Sequence, residues 1–159
     1  MHLFTRKFLV GLATLSTAST LGVNPAQAAS SGQIYNPNSG RCVGIASGLA
    51  GIWNCTTNND QTWHWGQSYP NWSSYRQLIN GNNKCLGAQG SGLVGARIDA
   101  STCDGGYGQY WYYNSSSLTV ENFGSTQVMG VSGGSTANGA AVVQWTSNGN
   151  PDQRWDIYF

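Results

Sequence analysis

Beyond its first segment the chain carries its apolar residues in short runs. Examples are Cys42-Val43-Gly44-Ile45, Cys85-Leu86-Gly87-Ala88, Val128-Met129-Gly130-Val131 and Val142-Val143-Gln144-Trp145. Clusters of turn-forming residues separate them, as in Asn36-Pro37-Asn38-Ser39-Gly40 and Asn80-Gly81-Asn82-Asn83. Short apolar runs bounded by Gly, Asn and Ser predict short β-strands joined by tight turns. Gly, Ser, Thr and Asn disfavour helix, and no long stretch shows helical spacing. The expected class is all-β.

The pattern is also periodic. Gln61-Thr62-Trp63, Gln109-Tyr110-Trp111 and Gln153-Arg154-Trp155 each close a similar passage. Cys42, Cys85 and Val128 open these passages at a constant step of 43 residues. A second landmark, Cys55, Cys103 and Ser147, stands six residues before each repeated Gln. Three coincident landmarks in three copies define an internal repeat of about four short strands per copy. The landmarks are 18 residues apart in repeat two and 19 in repeat three, but only 13 in repeat one. Repeat one has therefore lost most of the loop that repeat three keeps as Ser132-Gly133-Gly134-Ser135-Thr136-Ala137-Asn138-Gly139. Between repeats one and two, residues 66–74 carry Tyr69, Pro70 and Trp72 and are too short to link separate domains.

The ends and the charge narrow the class further. His2, Arg6 and Lys7, an apolar run, Pro25 and Ala26-Gln27-Ala28 have the layout of a secretory signal peptide over residues 1–28. Thr14, Ser16, Thr17, Ser19 and Thr20 dilute that run too far for a membrane anchor. Cleavage after Ala28 or Ala29 leaves a secreted chain that suits one domain, residues 31–159. Five basic residues (Arg41, Arg76, Lys84, Arg97, Arg154) and six acids (Asp60, Asp99, Asp104, Glu121, Asp152, Asp156) then remain. Such a balance offers no basic field for nucleic acid or for an anionic membrane.

The aromatic residues supply the core. Trp63, Trp111 and Trp155 are expected inside, with Trp65, Tyr113 and Ile157 on the same strand faces two residues later. The motif glutamines can offer donors and an acceptor to backbone groups that a tight turn leaves unpaired. Four cysteines in an exported chain allow three disulfide pairings. Zinc is a poor alternative, since there is no close Cys-x-x-Cys pair and the mature chain has a single histidine, His64.

Three Gln-x-Trp units at this pitch, with a cysteine pair in two of them and the Gly-Gly-Ser-Thr-Ala-Asn-Gly passage, resemble the ricin B-type β-trefoil lectins. The resemblance extends over essentially all of residues 31–159. It implies twelve strands in three pseudo-symmetric units, forming a six-stranded barrel capped by three hairpins. It also implies bridges within repeats, Cys42–Cys55 and Cys85–Cys103. Repeat three, with Val128 and Ser147, lacks one and should open most easily.

The family's shallow sugar pocket implies three parts per repeat: an acid just after the first landmark, an aromatic ring two residues before the second, and a polar pair ending in the motif Gln. A ring can take the C–H face of a sugar, while carboxylate and amide groups pair its hydroxyls. The ring position holds Trp53, Ser101 and Trp145 in turn, and the residue before the motif Gln is Asp60, Gly108 or Asp152. The early acid is absent throughout, replaced by Gly44, Gly87 and Gly130. Repeat two thus lacks acid, ring and amide. The implied sites are Trp145, Asp152 and Gln153 in repeat three, with Asp152 partly substituting for the acid, and Trp53, Asp60 and Gln61 in repeat one. The expected protein is a monomeric carbohydrate binder with no cofactor, no metal and no catalytic residues. The alternative is a protein-interaction or protease-inhibitor-like trefoil that has lost sugar binding. A glycosidase would need two facing carboxylates, and Asp99 and Asp104 read more simply as part of a turn.

Overall fold

The computed structural model describes residues 32–90 and 92–159; the expected leader, residues 1–28, lies outside them. Each repeat contributes four strands. Repeat one has β1 (Ile34–Asn36), β2 (Arg41–Ala46), β3 (Leu49–Trp53) and β4 (Trp63–Tyr69). Repeat two has β5 (Trp72–Asn80), β6 (Cys85–Ala88), β7 (Ile98–Ser101) and β8 (Tyr110–Asn114). Repeat three has β9 (Thr119–Asn122), β10 (Val128–Val131), β11 (Val142–Trp145) and β12 (Asp156–Ile157).

All pairings are antiparallel. The wall strands pair as β12–β1, β4–β5, β5–β8 and β8–β9. Backbone bonds from Trp63 to Gly32 and from Trp155 to Leu118 tie β4 and β12 to the neighbouring segments. The hairpins β2–β3, β6–β7 and β10–β11 form the cap. This is the twelve-stranded trefoil that the resemblance implies, and closing the sheet removes exposed edges.

The three motif tryptophans lie in the centre, 1 %, 0 % and 0 % exposed. Each indole Nε1 donates to a carbonyl one residue past the first landmark of its repeat. Trp63 bonds Val43 at 3.1 Å, Trp111 bonds Leu86 at 2.8 Å and Trp155 bonds Met129 at 2.9 Å. Large rings thus enter the core without leaving a polar atom unpaired. Trp65, Tyr113 and Ile157 pack against the edge of the same core.

The motif glutamines do for the loops what the tryptophans do for the barrel. Each closes a tight turn through its own N–H, to Asn58 (2.9 Å), Gly106 (2.9 Å) or Asn150 (3.1 Å). Each amide then straddles the second landmark. Oε1 accepts from the residue after it (Thr56, Asp104, Asn148), and Nε2 donates to the carbonyl before it (Asn54, Thr102, Thr146). A third repeated device, Asn36, Asn80 and Asn122, is almost wholly buried and accepts backbone N–H bonds in the turn that follows its strand.

The disulfides are Cys42–Cys55 and Cys85–Cys103, as the resemblance implies, and no cysteine is free. Each closed loop contributes roughly 3 kcal/mol by restricting the unfolded chain.

Candidate functional site

The hairpin registers fix where a ring can stand. Trp53 pairs across the ladder with Cys42, Ser101 with Cys85, and Trp145 with Val128. In repeat three this places Trp145 at the wall of a pocket of about 260 Å³, with Gly130, Ser132, Gly134, Asn148 and Asp152 around it. Trp145 is 43 % exposed, an open position for so large a ring. Gly133 and Gly134, both at φ 63, let a short 3₁₀ turn (Ser132–Gly134) form the lip.

The missing acid has a structural explanation. A Cβ on Gly130 would lie 3.3 Å from Asp152 Oδ2 and 3.1 Å from the Gln153 side chain. A Cβ on Gly44 would lie 3.1 Å from Asp60 Oδ2 and 2.8 Å from Gln61 Cγ. In both repeats a carboxylate arriving from the motif turn fills the space above the glycine.

Repeat two does the same from a third direction. Asp99 stands opposite Gly87 in the β6–β7 ladder, and its Oδ1 lies 3.0 Å from where a Cβ on that glycine would be. Its Oδ2 accepts from Gln89 Nε2 at 2.9 Å. Asp99 is thus a strand residue and not part of a turn, and repeat two does hold a carboxylate. Only the strand register exposes this equivalence, since Asp99 occupies neither family position in sequence. Asp104, by contrast, does serve a turn, accepting from Gly106 N at 2.8 Å.

Gln61 and Gln153 pair the backbone of their turns, as their donors and acceptor allow. They are 5 % and 1 % exposed, and both ends of each amide are engaged by the loop around the second landmark. Gln153 braces the turn that presents Asp152, whereas Gln61 also reaches the lining of the repeat-one pocket. That pocket, of about 290 Å³, gathers Trp53, Asp60, Asn54, Ile45 and Asn138.

Asn138 belongs to repeat three, and its presence reveals a cross-repeat contact. The repeat-three loop lies on the repeat-one hairpin: Gly139 N donates to Ile52 O, Ile52 N donates to Ala140 O, and Asn54 N donates to Asn138 Oδ1. A Cβ on Gly139 would meet the Trp53 ring at 3.2 Å. The repeat-two loop lies on the repeat-three hairpin in the same way, through Gly95 N to Gln144 O and Gln144 N to Ala96 O. The shortened repeat-one loop keeps one such bond to repeat two, Ala100 N to Gly48 O, but reaches no ring there. The one repeat without a ring is the one whose covering loop is missing.

Among the described residues no group of three or more His, Cys, Asp or Glu could hold a metal ion. His64, an exposed residue of β4, has no nucleophile motif beside it.

The family model described as the ricin-type beta-trefoil lectin domain matches residues 30–155. The chain belongs to that family, a carbohydrate-binding class and not an enzymatic one. No curated protein matches it by sequence. Among solved structures it is similar to ThreeFoil, a designed 3-fold symmetric protein, with a TM-score of 0.69 and 19 % identity over 77 % of this chain and 94 % of that one. An exo-beta-1,3-galactanase from Clostridium thermocellum gives 0.69 and 20 % over 80 % of this chain but only 29 % of the enzyme. A ricin B-like lectin of Macrolepiota procera, solved with lactose, gives 0.62 and 18 % over 80 % and 96 %. At these identities the likeness is one of fold.

Proposed function

We propose that this trefoil binds carbohydrate through the repeat-three pocket, with the repeat-one pocket as a second site. The observation that carries this reading is the Asp152 carboxylate over Gly130, in the same pocket as the half-open Trp145 ring. The ring offers a flat apolar face for sugar C–H groups. Asp152 accepts hydrogen bonds from hydroxyls, and Asn148 and Asn150 line the rest of the pocket with amides. Repeat one has the same ring and acid, but its Trp53 is more buried and its own loop wall is absent. Single shallow sites bind weakly, so two working repeats acting on a dense glycan supply avidity.

In this reading the chain is exported by residues 1–28 and acts as a secreted monomer with no cofactor and no part for nucleic acid or membrane. The test is a fluorescence titration of residues 29–159 with lactose, N-acetylgalactosamine and a panel of common monosaccharides, against Asp152→Asn. A saturable change with at least one sugar that weakens about tenfold in the variant supports the proposal. No response to any sugar, or an unaltered response in the variant, contradicts it.

A further inference from the structure

The β4–β5 hairpin breaks the threefold symmetry. Its strands run for 7 and 9 residues, whereas the corresponding β8 and β9 have 5 and 4. The extension ends in Tyr69-Pro70-Asn71-Trp72, where Pro restricts one central residue and Asn71 takes φ 66 in the other, and Tyr69 pairs with Trp72 across the turn. An aromatic cluster is built around it. Tyr69 packs on Phe123 (4.3 Å between ring centroids), Tyr110 (5.2 Å) and Tyr107 (5.6 Å). Trp72 and Tyr107 remain 57 % and 62 % exposed.

Beside the cluster runs a groove of about 700 Å³, lined by Gly66, Gln67, Gln77, Ile79, Asp104 and Tyr110 among others. Tyr110 belongs to both. Gln77 is only 6 % exposed, lines this groove, and its side-chain amide makes no hydrogen bond among the described residues. The amide opens on the groove, where it can pair with solvent or with a ligand. Gly66 packs closely against Ile79, since a Cβ there would meet Ile79 Cδ1 at 2.5 Å.

The nearby charges are already engaged. Glu121 accepts from the Tyr75 hydroxyl, Arg76 donates to the Gly66 carbonyl, and Asp104 accepts from Gly106 N. What lines the groove is therefore aromatic rings, glutamine amides and glycine edges, with one exposed carboxylate, Asp104, that disfavours an acidic chain.

We propose that this groove, together with Trp72 and Tyr107, is a separate saccharide-binding surface that takes a neutral polysaccharide chain. It rests on the carbohydrate-binding reading above but lies outside the pockets of the three repeats. Successive sugar units present flat C–H faces to the rings and hydroxyls to Gln67 and Gln77. The rings are locked against one another beforehand, which lowers the ordering cost of binding. A protein partner is the less favoured occupant, because the exposed apolar side chains of the cluster are aromatic, while the exposed Leu93 and Val94 stand on the repeat-two loop.

The test is affinity electrophoresis of residues 29–159 in native gels containing a xylan, a laminarin or an arabinogalactan. It compares the wild type with Trp72→Ala/Tyr107→Ala, Gln77→Leu and Trp145→Ala, each checked by thermal melting. The expected result is retardation by at least one polymer that falls about tenfold in the double variant and about threefold in Gln77→Leu, with the same fold-losses when these changes are made on a Trp145→Ala background. Retardation of the double variant equal to wild type overturns the proposal; if protein capture then depends on these two rings, the surface belongs to a protein partner. A wild type that no polymer retards, yet that binds small sugars in solution, overturns this proposal alone. A wild type that binds neither removes the carbohydrate reading as well.

Discussion

Gly95 of the second repeat lies against the ring of Trp145 in the third: a Cβ at position 95 would stand 3.2 Å from Cζ3. Gly139 holds the same relation to Trp53, and both glycines have φ 84. The left-handed backbone lets the loop turn over the ring, and the absence of a side chain lets it come close. Each candidate platform is thus positioned by a neighbouring repeat.

Gly95→Ala is expected to lower stability by roughly 1–2 kcal/mol through left-handed backbone strain, and to weaken sugar binding by displacing Trp145. Gly48→Ala is the control, since Gly48 also has positive φ but nothing lies within 4 Å of its Cβ position. It should cost similar stability and leave binding intact. Denaturant melts with sugar titrations of both variants check this.

Restoring the family's acid should do harm. Gly130→Asp sets a second carboxylate against Asp152 Oδ2 and crowds Gln153, with an expected loss of about 1–3 kcal/mol. Adding Asp152→Gly should recover much of it. A double-mutant cycle measured by thermal melting reads the coupling, and additive effects would show that the two positions do not compete for one space.

The Gln-x-Trp device was legible in the sequence because three copies of one tripeptide do identical work. Each Trp bonds a carbonyl past the first landmark, and each Gln brackets the second. Ring positions 53 and 145 came from the family resemblance, two residues before the second landmark, because repeat two has Ser101 there. The cross-repeat loop contacts were not, since Gly95 and Trp145 are far apart in the chain and share no pattern. Asp99 was hidden because its equivalence to Asp60 and Asp152 lies in where the carboxylate ends up. Tyr69 and Trp72 were visible as residues, but their cluster needs Tyr107, Tyr110 and Phe123 from elsewhere in the chain.

Repeat three carries no disulfide, whereas β2 and β6 begin their hairpins from bridged cysteines or hold one near their start. Amide hydrogen exchange should therefore find β10–β11 opening ahead of β2–β3 and β6–β7. Slower exchange in β10–β11 would mean that loop packing outweighs the bridges.

Tyr75 provides a pH signature of the locked aromatic cluster. Burial and then its hydrogen bond to Glu121 push its hydroxyl from 10.0 up to about 12. The folded state therefore keeps this proton more tightly than the unfolded chain. Its stabilising contribution is full below pH 10.0 and is lost as pH rises toward about 12. Melting temperature should fall more steeply across that window in wild type than in Tyr75→Phe, and parallel profiles would contradict the assignment.

The most direct test of the account is a glycan array probed with residues 29–159 and with Trp145→Ala, after both are shown to melt cooperatively. The account predicts selective wild-type binding that drops about tenfold or more when the ring is removed. Equal binding by the two proteins, or no selective binding by the wild type, would contradict it.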